Sequence, residues 1–102
     1  MNEDILGKAL LDYQNGNYTE DISTFSSLNE EDILPLPYMF RSFNEMPALE
    51  QKALQLCRGE VLDVGCGAGS HSLYLKNNGL SVTSLDASQG AIAVCRERGL
   101  KN

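Results

Sequence analysis

One short stretch limits the possible folds of this chain more than any other: the sequence VLDVGCGAGS at residues 61–70. An apolar, β-rich run ends there in three glycines, and the residues that follow can form a helix over 70–77. A second strand is predicted over 81–85 and a second helix over 88–98. Two strands joined by a helix run parallel with a right-handed crossover, so the pattern predicts the opening of a doubly wound α/β sheet.

The first 59 residues have a different pattern. Apolar residues at helical spacing predict an amphipathic helix over about 3–14, and a second helix is predicted from Pro47 to the Arg58-Gly59 stop. The polar, acidic stretch over 17–31 fits an irregular or partly helical segment better than a strand. The proline- and ring-rich stretch over 35–47 is too apolar for a solvated linker, so we expect it to pack against the rest of the chain.

The glycine turn has the features of a nucleoside-binding site. Glycines at 65, 67 and 69 allow the backbone to turn sharply and to approach a ligand closely, and the amides of the next helix can hold an anionic group. Asp86 follows Gly65 by 21 residues, at the predicted end of the second strand. A carboxylate at that place can accept hydrogen bonds from two ribose hydroxyls.

The third glycine distinguishes between cofactors. A dinucleotide fingerprint, G-x-G-x-x-G, requires glycine at position 70, where this chain has Ser70. The motif is instead G-x-G-x-G, preceded by Asp63 with one spacer residue. In these features the stretch over 61–98 resembles the class I S-adenosylmethionine-dependent methyltransferases. The resemblance implies the N-terminal part of a doubly wound, Rossmann-like methyltransferase sheet, preceded by a helical cap segment.

The resemblance also implies roles for individual residues. Gly65 and Gly67 would approach the methionine part of the cofactor, Asp86 would hold its ribose, Ala87 would lie beside the adenine, and Asp63 would organise the loop and the cofactor's amino group. The expected cofactor-binding set is Asp63, Gly65, Cys66, Gly67, Gly69, Asp86 and Ala87. From the residues alone, Asp86 could instead cap the second helix in competition with Ser88, and Asp63 could only brace the turn.

No catalytic residue is assigned, because transfer from a sulfonium requires mainly in-line approach in a dry pocket. His71 is more typical of a helix-start contact than of a catalytic base, and the Cys66 thiol is expected to turn into the core. Tyr38, Phe40 and Phe43 are expected to pack rather than to bind substrate. Arg41 could reach a cofactor carboxylate or an acidic substrate, or pair with one of the local acids.

Composition limits the partners. The formal net charge is −6, with net −7 over residues 1–60 and net +1 over 61–102, so nucleic acid is not an expected partner and a small-molecule methyl acceptor is the default. Three cysteines without C-x-x-C spacing predict neither a disulfide framework nor a metal site. The absence of a membrane-length apolar run, together with the acidic N-terminus, predicts a cytoplasmic protein without membrane attachment.

We expect two parts: an acidic helical cap segment over 1–59, and the start of the cofactor-binding α/β domain over 60–102. Because an apolar central strand needs neighbours on both sides, the sequence is expected to be an N-terminal fragment that is inactive and prone to self-association in isolation. Two alternatives stay open: an NAD(P)-dependent oxidoreductase, and a non-catalytic cofactor-binding or interaction module that docks through its acidic half.

Overall fold

The structure is a computed structural model that describes residues 4–18, 21–25 and 31–102. Its helices and strands follow one another in the order α1 (Ile5–Gln14), β1 (Ile22–Phe25), β2 (Glu31–Leu34), α2 (Leu36–Met39), a 3₁₀ turn (Phe43–Glu45), α3 (Ala48–Gln55), β3 (Glu60–Val64), α4 (Ser70–Asn77), β4 (Ser81–Leu85) and α5 (Gln89–Glu97). The predicted α4 and β4 have the observed bounds, while α1, α3 and α5 begin or end one to three residues inside the predicted ranges.

The two parallel strands form the centre of the α/β unit. β3 pairs with β4 so that Val61 lies opposite Val82 and Val64 opposite Leu85. Helix α4 connects the two strands, which confirms the predicted strand–turn–helix–strand order. Val61 packs into the core, whereas Leu62 is 57% exposed and Val64 is 72% exposed. The described residues therefore cover only one face of β3, in line with the expectation that this strand needs further neighbours to bury its apolar side chains.

The prediction for residues 17–31 is wrong where the structure describes that segment. Ile22–Phe25 is a strand, and it pairs antiparallel with Glu31–Leu34; residues 19, 20 and 26–30 lie outside the described residues. Each strand has only four residues and β2 is mostly exposed, so neither carries the alternation that identifies a strand in a sequence. Backbone pairing between the two segments satisfies their amides and carbonyls and stabilises both. The segment over 1–59 is consequently not purely helical.

Helix α1 packs on the start of α5 through a shared cap. Asp4 accepts a hydrogen bond from the Gly7 amide at 2.9 Å and thereby caps α1. The same carboxylate accepts bonds from the Ser88 hydroxyl and the Gly90 amide, both at 2.7 Å, at the first turn of α5. The backbones of Gly7 and Gly90 meet so closely that a Cβ on Gly90 would overlap Gly7. One carboxylate therefore fixes two helix N-termini and the contact between them.

Two clusters of buried side chains hold the remaining elements. The first joins α1 and α2 to the glycine turn and α5, and its buried members are Leu10, Leu36, Ala68, Ala91 and Val94. The second joins the 3₁₀ turn and α3 to α4 and β4, and its buried members are Met46, Leu54, Leu75 and Val82. The burial of Leu36 and Met46 confirms that the proline- and ring-rich stretch over 35–47 packs against the rest of the chain.

Candidate active site

The carboxyl ends of β3 and β4 meet because the strands are parallel, and the glycine turn begins at this edge. The amides of Gly65 and Cys66 both donate to the carbonyl of Leu85, at 2.8 and 3.0 Å, so the turn is tied to the end of the neighbouring strand. A cavity of about 410 Å³ opens there, lined by Val64, Gly65, Leu85, Asp86 and Ala87. Ligands of open α/β sheets commonly bind at this edge.

Asp86 connects the turn to helix α5. One carboxylate oxygen accepts the Gly67 amide at 2.9 Å, and the other accepts the Ser88 amide at 2.9 Å. The hydroxyl of Ser88, rather than Asp86, caps α5 by accepting the Ala91 amide at 3.0 Å. A carboxylate has about four lone-pair sites, so two backbone donors leave capacity for a ligand. Asp86 is therefore both a brace for the turn and an acceptor in the wall of the cavity.

The three glycines of the turn have different surroundings, although all adopt positive φ values of 71°, 55° and 84° at Gly65, Gly67 and Gly69. A Cβ on Gly65 would meet nothing within 4 Å. A Cβ on Gly67 would lie 2.8 Å from the methyl carbon of Met39, and one on Gly69 would meet the Cys95 thiol at 2.9 Å. Only Gly65 thus leaves open space next to the cavity, while Gly67 lies beneath the cap segment and Gly69 permits close packing of α5.

Asp63 points into a buried hydrogen-bonded network. Its carboxylate accepts the Ser72 hydroxyl at 2.7 Å, and Ser72 in turn accepts the Ser84 hydroxyl at 2.7 Å. Both serines are completely buried. This network fastens β3 to α4 and β4 directly below the turn, as the bracing interpretation of Asp63 predicts. Sequence reasoning missed the two serines, because a buried serine has no distinctive spacing.

Cys66 faces inward from the turn. Its sulfur lies 3.7 Å from the sulfur of Cys95, which is buried on α5. Burial raises the pKa of the Cys66 thiol to about 12, and the neighbouring Cys95 adds to this effect. A thiol in this state is a poor nucleophile, because the reactive form is the thiolate. The geometry gives Cys66 a packing role at the turn.

The cap segment is fastened to the first turn of α4. The Ser70 hydroxyl donates to the Met39 carbonyl at 2.9 Å. Glu50 on α3 pairs with the Arg41 guanidinium at 3.2 Å and lies 3.0 Å from Nε2 of His71. Arg41 is expected from the sequence either to contact a cofactor or substrate or to pair with a local acid, and in the structure it pairs with Glu50. His71 likewise makes a helix-start contact.

The structure brings together part of the predicted set. Gly65, Asp86 and Ala87 line the cavity, and Gly67 joins them through its bond to Asp86. Asp63, Cys66 and Gly69 lie behind the turn and support it from the core side.

Comparison with known proteins agrees with this geometry. Residues 61–102 match the sequence profile of a family described as "Methyltransferase domain". A SAM-dependent methyltransferase from Bacteroides fragilis, crystallised in complex with S-adenosyl-L-homocysteine, superposes with a TM-score of 0.89 at 36% identity over 97% of this chain. The chain is therefore similar to S-adenosylmethionine-dependent methyltransferases, in sequence over residues 61–102 and in structure over nearly its whole length.

Two curated proteins also match this chain. A 2-heptyl-1-hydroxyquinolin-4(1H)-one methyltransferase of Mycobacteroides abscessus is 44% identical over 48 residues, which are 43% of this chain and 21% of that protein. An uncharacterized protein of Synechococcus sp. is 43% identical over 49 residues, which are 46% of this chain and 12% of that protein. The chain spans 41% of the Bacteroides fragilis chain.

Two further observations concern the described ranges of the chain, 4–18, 21–25 and 31–102. No three His, Cys, Asp or Glu side chains in these ranges are grouped so that they could hold a metal ion. No helix in the same ranges has the length and apolar character needed to cross a membrane.

Proposed function

We propose that this chain binds S-adenosylmethionine in the cavity at the carboxyl edge of β3 and β4, and that the protein containing it transfers the methyl group to a small molecule. The observation that carries the proposal is the cavity of about 410 Å³ whose wall contains the Asp86 carboxylate and the open face of Gly65. The Bacteroides fragilis relative, whose structure contains S-adenosyl-L-homocysteine, supports the choice of cofactor.

The residues around the cavity fit the parts of such a cofactor. Asp86 would accept hydrogen bonds from the ribose hydroxyls with the lone pairs that Gly67 and Ser88 leave free. Ala87, exposed at the cavity wall, would lie beside the adenine. The backbone of Gly65 would approach the methionine part, because no side chain fills the space next to it.

The other four residues of the predicted set do not line the cavity, and they would support cofactor binding by holding the glycine turn in its conformation. Asp63 would hold the turn above α4 and β4 through Ser72, and Gly69 would keep α5 close. Gly67 would keep its amide directed at Asp86, and Cys66 would fill the space in front of Cys95. All four would support cofactor binding from the core side.

The cofactor supplies an activated methyl group on a positively charged sulfur. The protein's task is therefore to orient an acceptor in line with that methyl group and to exclude water, which requires little side-chain chemistry. The curated relative named for a hydroxyquinolinone supports a small-molecule acceptor, and the net charge of −6 disfavours a nucleic acid. We further propose a cytoplasmic location, on the basis of the acidic N-terminus and the free cysteines.

Calorimetry on the full-length protein with S-adenosyl-L-homocysteine and with NAD tests the cofactor. We expect a saturable signal with the first ligand and none with NAD. Tight binding of NAD without binding of S-adenosyl-L-homocysteine would overturn the proposal in favour of an oxidoreductase.

A matched pair of glycine variants tests the location. Gly65 and Gly59 lie at the two ends of β3, with φ of 71° and 66°, and a Cβ on either residue would meet nothing within 4 Å. Gly65→Ala and Gly59→Ala should therefore cost similar stability, about 1–2 kcal/mol for an alanine held at positive φ. Only Gly65→Ala adds a methyl group to the cavity, so it alone should weaken S-adenosyl-L-homocysteine binding. Equal affinities of the two variants would argue against this cavity.

A further inference from the structure

A second cavity of about 230 Å³ lies between the cap segment and helix α4. Residues 40–43 of the cap segment, the outer side of α4 and the side chain of Arg98 enclose it. It shares no lining residue with the cavity at Gly65 and Asp86, so it is not part of the proposed cofactor site.

Arg98 brings a positive charge to this cavity. One guanidinium nitrogen donates to the Ala68 carbonyl at 2.6 Å and to the Ser70 hydroxyl at 3.5 Å, and the group lies 5.2 Å from the centre of the Phe40 ring. Within the described ranges, no carboxylate lies within 4.0 Å of it. Burial lowers the pKa of Arg98, because the charged form loses water without gaining a counter-ion. An anion in the cavity would offset that cost.

The free part of the guanidinium is accessible. Its two other nitrogens have no protein partner in the part of the chain that the structure describes. Every buried polar side-chain atom in that part has a hydrogen-bond partner, so these two unpartnered nitrogens are not buried and are open to solvent. Two N–H groups in a planar fork match the two oxygens of a carboxylate. Arg41 also lines the cavity, but Glu50 already pairs with it. Among the described residues, Arg98 therefore brings a positive charge to the cavity that no carboxylate compensates.

Three aromatic side chains, Phe40, Phe43 and Tyr74, contribute to the walls of the cavity. Phe43 stacks on Tyr74 with ring centroids 4.1 Å apart and an angle of 12° between their planes, and Phe40 lies beneath Arg98. Such surfaces favour a flat apolar group through stacking and burial. The volume of about 230 Å³ limits that group to roughly one ring with small substituents.

We propose that this cavity binds a small aromatic carboxylate, with the carboxylate on Arg98 and the ring between Phe40, Phe43 and Tyr74. A monoanion matches the charge of the Arg98 guanidinium, which has no acidic partner in the described part of the chain, whereas a phosphate dianion would leave excess negative charge in a chain of net charge −6. The ligand would contact the residues that hold the far end of the glycine turn, since Arg98 bonds to Ala68 and Ser70.

Titration of the ¹⁵N-labelled full-length protein with benzoate, and separately with its neutral analogue benzamide, tests the proposal at matched ionic strength. We expect benzoate to shift the resonances of Asn77 and Arg98 saturably, and benzamide to bind at least roughly tenfold more weakly because it lacks the charge. Equal affinities for the two probes would overturn the proposal, as would shifts confined to Asp86 and Ala87.

Variants separate ligand binding by Arg98 from its structural bonds to Ala68 and Ser70. Arg98→Gln should weaken benzoate binding by about tenfold or more, while Arg96→Gln, on the same helix but exposed, should leave it unchanged. Since Arg98 also braces the turn, Leu73→Trp provides an independent test: Leu73 lines the cavity, belongs to neither core cluster, and a larger side chain there should block benzoate. Wild-type affinity in Leu73→Trp and Arg98→Gln would refute the site.

Discussion

Replacement of Asp86 separates two roles that the structure combines in one carboxylate. Its two oxygens each accept one backbone amide at 2.9 Å, from Gly67 and Ser88. Asp86→Ala removes both acceptors, and because the group is only partly buried, water replaces some of the lost bonding. We expect the free energy of unfolding to fall by about 1–3 kcal/mol. Asp86→Asn keeps one acceptor oxygen, so it should lose less stability than the alanine variant.

The affinity for S-adenosyl-L-homocysteine should respond differently from the stability. Both variants lose the charged acceptor for the ribose hydroxyls, so both should bind more weakly by about 1.5–3 kcal/mol, which is roughly a 10- to 150-fold rise in Kd. Glu97→Gln provides the control, because it removes one negative charge from an exposed position on α5. It should leave both quantities unchanged.

Urea denaturation and isothermal calorimetry on the same full-length samples give the two values. If Asp86→Asn binds within about twofold of the wild type, roughly 0.4 kcal/mol, Asp86 does not hold the ribose. If Asp86→Ala is as stable as the wild type, the two amide bonds contribute nothing measurable and the bracing role is wrong.

Three other predictions concern the supports of the site. Gly90→Ala should lower the free energy of unfolding by about 1–3 kcal/mol in urea denaturation, because its Cβ would overlap the backbone of Gly7; a stability equal to that of the wild type would contradict the close contact. Iodoacetamide at pH 8 should react with the Cys66 thiol far more slowly than it reacts with the free thiol of glutathione, because burial raises the pKa of Cys66 to about 12 and its thiolate fraction falls to the order of 10⁻⁴. Peptide mapping that finds Cys66 labelled as fast as glutathione would refute this. Hydrogen bonding to His71 lowers the pKa of Glu50 from its ordinary 4.5, so the ionised carboxylate stabilises the fold above that pH and the stabilisation is lost as the pH falls below it. The stability difference between wild type and Glu50→Gln should accordingly shrink as the pH falls from 4.5 to about 3 in thermal denaturation, and a difference that stays constant over this range would contradict the interaction.

The α/β half of the fold was predictable because its signals are local. Val61 to Val64 is a β-rich run in which three of the four residues are apolar, the glycines at 65, 67 and 69 follow it, and the helix over 70–77 comes next. Each boundary depends on neighbouring residues, and the parallel pairing follows from the helical connection. The same locality made the position of Asp86 at the end of β4 predictable.

The features that sequence reasoning missed depend on distant partners. The strand over Ile22–Phe25 forms by pairing with Glu31–Leu34, and neither segment has a strong pattern of its own. Asp4 caps α1 locally, but its bonds to Ser88 and Gly90 join residues more than 80 positions apart. The buried network below the turn and the pairing of Glu50 with both Arg41 and His71 are likewise products of packing.

A crystal structure of the full-length protein with S-adenosyl-L-homocysteine tests the central claim most directly. We predict the ribose hydroxyls within hydrogen-bonding distance of the Asp86 carboxylate, about 2.6–3.2 Å, with the adenine beside Ala87 and the homocysteine part along the backbone of Gly65. A ligand bound outside the cavity at the ends of β3 and β4, or a ribose held by a different side chain, would contradict the account.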